Sequence, residues 1–222
     1  LIVMSGVQNG QTDIFVFNPA SQTYEQITKD LWDDINPRFM PGTSDIIFCS
    51  NRTNDTLVFE HENNIVDREQ LPNSKFTDVF LYNYKTKNPV LKRLTDTPNA
   101  NESYPVYYKN SHFSYLSNEN GIYNRYIGRF DSTIAFIDTS THYRYFSITN
   151  AITNYKRNII EQDINEKSGK KAYIIYNDGK YKLYVDEIDN INNLEKLTPK
   201  TSPYIKLRNE LLERKSIKDS LS

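Results

Sequence analysis

The sequence is poor in the features that mark many function classes. One cysteine, Cys49, in 222 residues excludes a disulfide framework within the chain. Cys49 ends the apolar run Ile46-Ile47-Phe48-Cys49 and reads as a small core residue, not as a catalytic thiol. Neither charge sign dominates, with 27 Lys and Arg against 28 Asp and Glu. Nucleic-acid binding rests on a basic field that neutralises phosphate, so no nucleic-acid partner is expected. No apolar stretch approaches the roughly 20 residues of a membrane-spanning helix, so no membrane insertion is expected within this segment. A Gly-x-Ser-x-Gly nucleophile elbow and a Gly-x-x-x-x-Gly-Lys-Ser/Thr phosphate loop are both missing. His61, His112 and His142 stand far apart, whereas a zinc site needs three or four converging ligands. The chain is therefore read as non-catalytic, with no cofactor and no metal.

What is present points to strands. Hydrophobic residues reach only 37%, yet 17 Tyr and 11 Phe raise the aromatic share to 13%. Such side chains suit half-buried strands, where one side of the ring packs and its edge meets water. The chain also repeats itself. An aliphatic residue followed by Thr recurs as Ile27-Thr28, Leu94-Thr95, Ile148-Thr149 and Leu197-Thr198. Thr12-Asp13-Ile14-Phe15 matches Thr77-Asp78-Val79-Phe80, with Tyr181 to Asp186 as a looser copy, and these alternate with the period of two that marks a one-sided strand. Asp34-Ile35-Asn36-Pro37 aligns with Glu102-Ser103-Tyr104-Pro105, where Pro is expected at the start of a strand. An apolar strand follows as Ile46 to Asn51, Phe113 to Asn118 and Ala172 to Asn177, and Leu1 to Gly6 reads as the same strand in an earlier copy. Asn9-Gly10, Asn120-Gly121 and Asp178-Gly179 supply hairpin turns between the second and third strands.

Four antiparallel strands in fixed order, repeated, make a β-propeller blade. The fold class expected is all-β: about four blades of four antiparallel strands, part of a six-bladed or larger ring, with a C-terminal helix. The run from Asp34 to Arg52, with its Asn-Pro-Arg-Phe, Pro-Gly turn, apolar strand and Ser-Asn-Arg, resembles the TolB-like propeller repeat. The Thr-Asp-Ile-Phe strand and Leu-Thr ending are similar to it too. The resemblance covers residues 1–200 as four imperfect units and implies a six-bladed ring, a periplasmic or envelope location, and protein partners bound on the ring faces and central funnel. Because the sequence opens inside a strand, further blades are expected outside it.

The Ile/Leu-Thr markers are 67, 54 and 49 residues apart, longer than the roughly 40–45 of a typical blade. The excess in the first interval is the polar insertion Thr53 to Lys75, between a second and a third strand. From 201 to 222 the pattern changes. Leu207, Leu211, Leu212 and Leu221 recur at near-helical spacing among charged residues, which predicts one amphipathic helix. Two readings stay open: a helix packed on the propeller, or a linker to a following domain.

Candidate partner-binding residues lie in the loops expected on one face of the ring: Trp32, Asp33, Asp34, Arg52, Tyr123 and Asn124. Trp, Tyr and Arg are the usual anchors of protein interfaces. Trp32 packing between blades is an equal alternative. Asp33-Asp34 is read as a solvated loop pair, and Ser117 to Gly121 as an ordinary hairpin turn. The function expected is a non-catalytic scaffold binding protein partners of the bacterial cell envelope. The alternatives are the propeller portion of a serine-peptidase-type hydrolase, or a carbohydrate-binding propeller.

Overall fold

A computed structural model describes residues 1–8, 10–57, 76–109, 111–137, 139 and 141–220. Most of the Thr53 to Lys75 insertion, with His61, lies outside the described residues, as do Leu221 and the His142 side chain. Four antiparallel sheets follow one another along the chain. The first holds β1 (Ile2–Gln8), β2 (Gln11–Asn18) and β3 (Thr23–Gln26). The second holds β4 (Asp34–Phe39), β5 (Asp45–Ser50), β6 (Asp78–Asn83) and β7 (Lys92–Arg93). The third holds β8 (Glu102–Lys109), β9 (His112–Ser117), β10 (Asn124–Ile137) and β11 (Thr141–Ala151). The fourth holds β12 (Ile159–Asn165), β13 (Lys170–Asn177) and β14 (Lys180–Glu187). These are the blades of a β-propeller, and a helix, α1 (Pro203–Ser220), ends the chain.

Period-two patterning gives the second and third blades two buried faces, because neighbours cover both. In the second blade Ile46, Phe48, Phe80 and Tyr82 face back onto Ile14 and Val16 of the first. Ile47, Cys49, Val79 and Leu81 face forward onto Phe113, Tyr115 and Tyr126 of the third. Cys49 is fully buried, as a core residue should be, and burial raises its thiol pKa well above the usual range. The joint between third and fourth blades is thinner in apolar groups, with Leu116, Ile159 and Tyr173 as its buried core. Arg125 stands there, where the second blade has Val79. It is buried, its Nε donates to Gln162 at 2.8 Å, and its guanidinium lies 5.0 Å from the Tyr173 ring centre.

Several local expectations change. The first blade is offset by one residue: Gly6 lies opposite Asp13, as Ser50 lies opposite Asp78. Pro37 and Pro105 fall inside β4 and β8 instead of at the strand start. Each sits where the pairing register shifts, and a bulge on an outermost strand tolerates the missing N–H. Asp178-Gly179 forms a two-residue hairpin with both φ positive, at 52° and 76°. Asn120-Gly121 instead belongs to a six-residue connection between β9 and β10. Leu197-Thr198 does not close the fourth sheet. The Leu197 N–H donates to Ala151 O at the end of β11, which leaves β14 as the last strand of its sheet.

The start of α1 is seated on the third blade, and one turn further Arg208 donates to Asn99 O at 3.1 Å. Ser202 and Ile205 are buried against the connection at Asn120-Gly121, where the Ser202 N–H donates to Asn120 O at 2.9 Å. Leu207, Leu211 and Leu212 are exposed, so the leucine spacing does not mark a buried face. Gly121 has φ +89°, and a Cβ there would overlap Ser202 and Ile205. We expect Gly121→Ala to lower stability by about 1–2 kcal/mol through strain and the overlap. Hydrogen exchange should quicken around residues 200–205, and unchanged protection there would refute this docking.

Candidate functional site

The residues expected on an open face are largely interior. Trp32, Asp34, Arg52 and Asn124 are all buried, Tyr123 is half-buried, and Asp33 alone is exposed. Asp34 is not a solvated loop residue. It begins β4, and Arg52 Nη2 reaches both its carboxylate oxygens at 2.7 and 2.8 Å. The same Nη2 contacts Asp30 at 3.1 Å, while Arg52 Nε donates to Ser50 Oγ at 3.0 Å. Trp32, Phe48 and Phe80 surround the guanidinium at 5.5–5.9 Å from their ring centres. Trp32 is thus buried against the Arg52 guanidinium. Asp33 Oδ1 accepts from Gln11 Nε2 and from the Thr12 N–H of the first blade. Asn124 Oδ1 accepts from the Tyr155 N–H and from Thr153 Oγ1, tying blade three to the connection that follows it.

This cluster does electrostatic work inside the fold. Burial raises the pKa of Asp34, Asp30 and Asp13 against the attraction of Arg52 or hydroxyl donors, and brings Asp30 to about 6. Asp13, Asp30 and Asp34 are the one group among the described residues with carboxylates close enough to share a cation. Arg52 already pairs with two of them, Asp30 and Asp34, so the cluster has an internal counter-ion for one of its negative charges.

The equivalent acid of the third blade is Glu102, which pairs with Ser117 as Asp34 pairs with Ser50. Here Glu119 occupies the place of Arg52, and no guanidinium arrives. Thr95 and Thr97 hydroxyls donate to the carboxyl instead. Burial, with the nearby negative charges of Asp78 and Glu119, lifts Glu102 from its ordinary 4.5 to about 8.

A cleft large enough for a ligand lies elsewhere. A cavity of about 610 Å³ is lined by the strand that comes first along the chain in every sheet: β1, β4, β8 and β12. Across it Arg38 of the second blade meets Asp163 of the fourth at 3.0 Å, with the two side chains 40% and 60% exposed. Phe39, Tyr104 and Tyr107 give it aromatic walls, and Glu166 adds charge. Asn36 and Tyr104, each before a proline, have φ of +53° and +49°. Positive φ is uncommon for Asn and a true outlier for Tyr, and such strain persists only where the surroundings hold it. Here Asn36 Oδ1 accepts from the Tyr104 N–H at 3.3 Å, and Gln162 Nε2 donates to Tyr104 O at 3.0 Å. Three inner strands are thereby laced together along the cleft. The aligned Asn-Pro and Tyr-Pro pairs were the available signal in the sequence. The bulges that turn them toward one axis were not readable there.

No family model and no curated protein sequence matches this chain. Among solved structures it is similar to TolB from Acinetobacter baumannii, at 16% identity and a TM-score of 0.52 over 89% of this chain and 40% of that one. It is also similar to a structure assigned to TolB from Agrobacterium tumefaciens, at 15% identity and a TM-score of 0.56 over 84% of this chain and 57% of that one. The fold is that of a TolB-like β-propeller, and the chain spans about half the length of these structures or less.

Two measurements check the buried charges. Arg52→Met should cost on the order of 3–5 kcal/mol, because it strands buried carboxylates. Adding Asp34→Asn should recover part of that loss in urea unfolding. Glu102 has a folded pKa above its unfolded one, so it stabilises fully below about 4.5, and that contribution is lost as pH rises through about 8. The urea midpoint should therefore fall over this range in the wild type and flatten in Glu102→Gln. An equal slope in both would rule out Glu102 as its source.

Proposed function

We propose that this chain is a non-catalytic propeller scaffold of the bacterial cell envelope that holds a segment of a protein partner in its axial cleft. The observation that carries this reading is the cleft itself, where all four blades contribute one wall and charged, aromatic and proline side chains converge. Aromatic and Arg side chains are common anchors of protein recognition. Arg38 and Asp163 offer both signs of charge at the surface, matched to a partner that carries both. The inner strands are outermost in their sheets, so an extended peptide can align along them, beside the Tyr104 backbone groups already held by Asn36 and Gln162. The envelope location rests on the TolB-like fold and on the repeat it shares.

A phage-displayed random peptide library panned on the intact chain tests the proposal. Enriched peptides should bind the wild type and lose tenfold or more in affinity (about 1.4 kcal/mol) with Arg38→Ala or Tyr107→Ala. Arg38 is substantially exposed, so its variant keeps the fold and reports on the cleft. Failure to enrich any peptide would overturn the reading, and so would peptides indifferent to both substitutions.

A further inference from the structure

The last strand of the fourth sheet is an open edge. β14 pairs with β13 on one side through all eight residues, Lys180 opposite Asn177 to Glu187 opposite Lys170. Its other side pairs with no strand among the described residues, since Leu197 crosses to Ala151. Seven of its eight residues are exposed. Tyr181, Leu183 and Val185 lie on one face at 71%, 66% and 60% exposure. An extended, regular, apolar edge of this kind is a template for another strand.

The sequence of β14 states which strand fits. It reads Lys-Tyr-Lys-Leu-Tyr-Val-Asp-Glu, with bases at the start and acids at the end. An antiparallel partner of the same sequence therefore meets it with opposite charge at both ends. Side chains of a strand alternate between faces, so a two-fold axis normal to the sheet sets odd residues opposite odd ones and even opposite even. Centred on Leu183, the pairing places Leu183 against Leu183 and Tyr181 against Val185 on the apolar face. On the other face Lys180 meets Asp186 and Lys182 meets Tyr184. Centred on Tyr184, it would still pair Leu183 with Val185 and Lys182 with Asp186, but it would set Tyr181 against Glu187 and Lys180 against Ile188, so it matches no more charges and fewer apolar groups on the Leu183 face. Opposite charges and apolar pairs directly across an antiparallel ladder are favourable, and like charges there are not.

We propose that β14 is a self-association edge, pairing antiparallel with β14 of a second copy about a two-fold axis at Leu183. The two fourth sheets then run on as one six-stranded sheet. The axial cleft lies at the opposite margin of the fourth sheet, beside β12, and stays open in the dimer.

Light scattering on the full chain at high micromolar concentration should give twice the monomer mass. K180D sets an acid against Asp186 of the second copy, and D186K sets a base against Lys180, so each single change should weaken the dimer tenfold or more. The double variant K180D/D186K should restore it, because the swapped charges again meet their opposites. Both side chains are exposed, but Asp186 also hydrogen-bonds the Tyr173 hydroxyl, so an unchanged far-UV circular dichroism spectrum of each variant must accompany the mass measurement. Leu183→Cys should form a disulfide-linked dimer under mild oxidation, while the wild type, whose one cysteine is fully buried, should not. A monomer at these concentrations would overturn the proposal, and would fit closure of the edge by the chain's own 193–198 segment. A dimer insensitive to the single charge changes, or one that Leu183→Cys fails to link, would overturn it too.

Discussion

An acid at the start of an inner strand must be neutralised without water, and the stacking of these blades is organised around that constraint. Asp34 and Glu102 begin β4 and β8 and are buried where two blades meet. The Thr of the Ile/Leu-Thr marker serves both sides of this junction. Thr28 and Thr95 accept the backbone N–H of Ile14 and Val79, continuing the ladder of the preceding blade. The Thr95 hydroxyl donates to Glu102 of the following blade, while the Thr28 hydroxyl donates to Asp13 of its own blade at 3.2 Å and lies close enough to Asp34 to lower its pKa. One side chain thus ends one blade and positions the next. The second blade completes the junction with Arg52, and the third with Thr97. A buried carboxyl left without such partners would cost several kcal/mol, so the spacing of marker and acid is tightly constrained.

This is why so much of the fold was legible in the sequence. The markers that repeat, Thr28 with Thr95 and Asp34 with Glu102, are the ones with fixed geometric duties. Strand order followed from alternation and from Asp178-Gly179, where both turn residues need positive φ. Departures came where the chain broke its own repeat. Leu197-Thr198 copies the marker, but no partner acid follows it, and the segment pairs with β11 instead. The leucines of α1 keep helical spacing with nothing packed on them, because only the first turn meets the Gly121 surface.

The cleft was less legible than the blades. Trp32 and Arg52 carry the residue types of an interface, yet they satisfy each other and the buried acids. Composition cannot separate an Arg that meets a partner from an Arg that meets Asp34, eighteen residues away and across a strand. Arg38 and Asp163 are unremarkable in sequence and come together only through the rotation between blades two and four. Asn36 and Tyr104 acquire their backbone conformation from register shifts that depend on the paired strand.

The three joints between blades are not equal. Among the described residues, ten buried apolar side chains form the core around the second and third blades, seven that around the first and second, and three that between the third and fourth. In a linear array each unit is held by its neighbours alone, so cooperativity is only as strong as the weakest joint. The joint under the fourth blade rests on Arg125 and Gln162 more than on hydrocarbon, which makes it the thinnest of the three in apolar burial among the described residues. Arg38–Asp163 spans that joint from two blades away, so a ligand seated over this pair would act as a clasp on the blade with the least grip of its own.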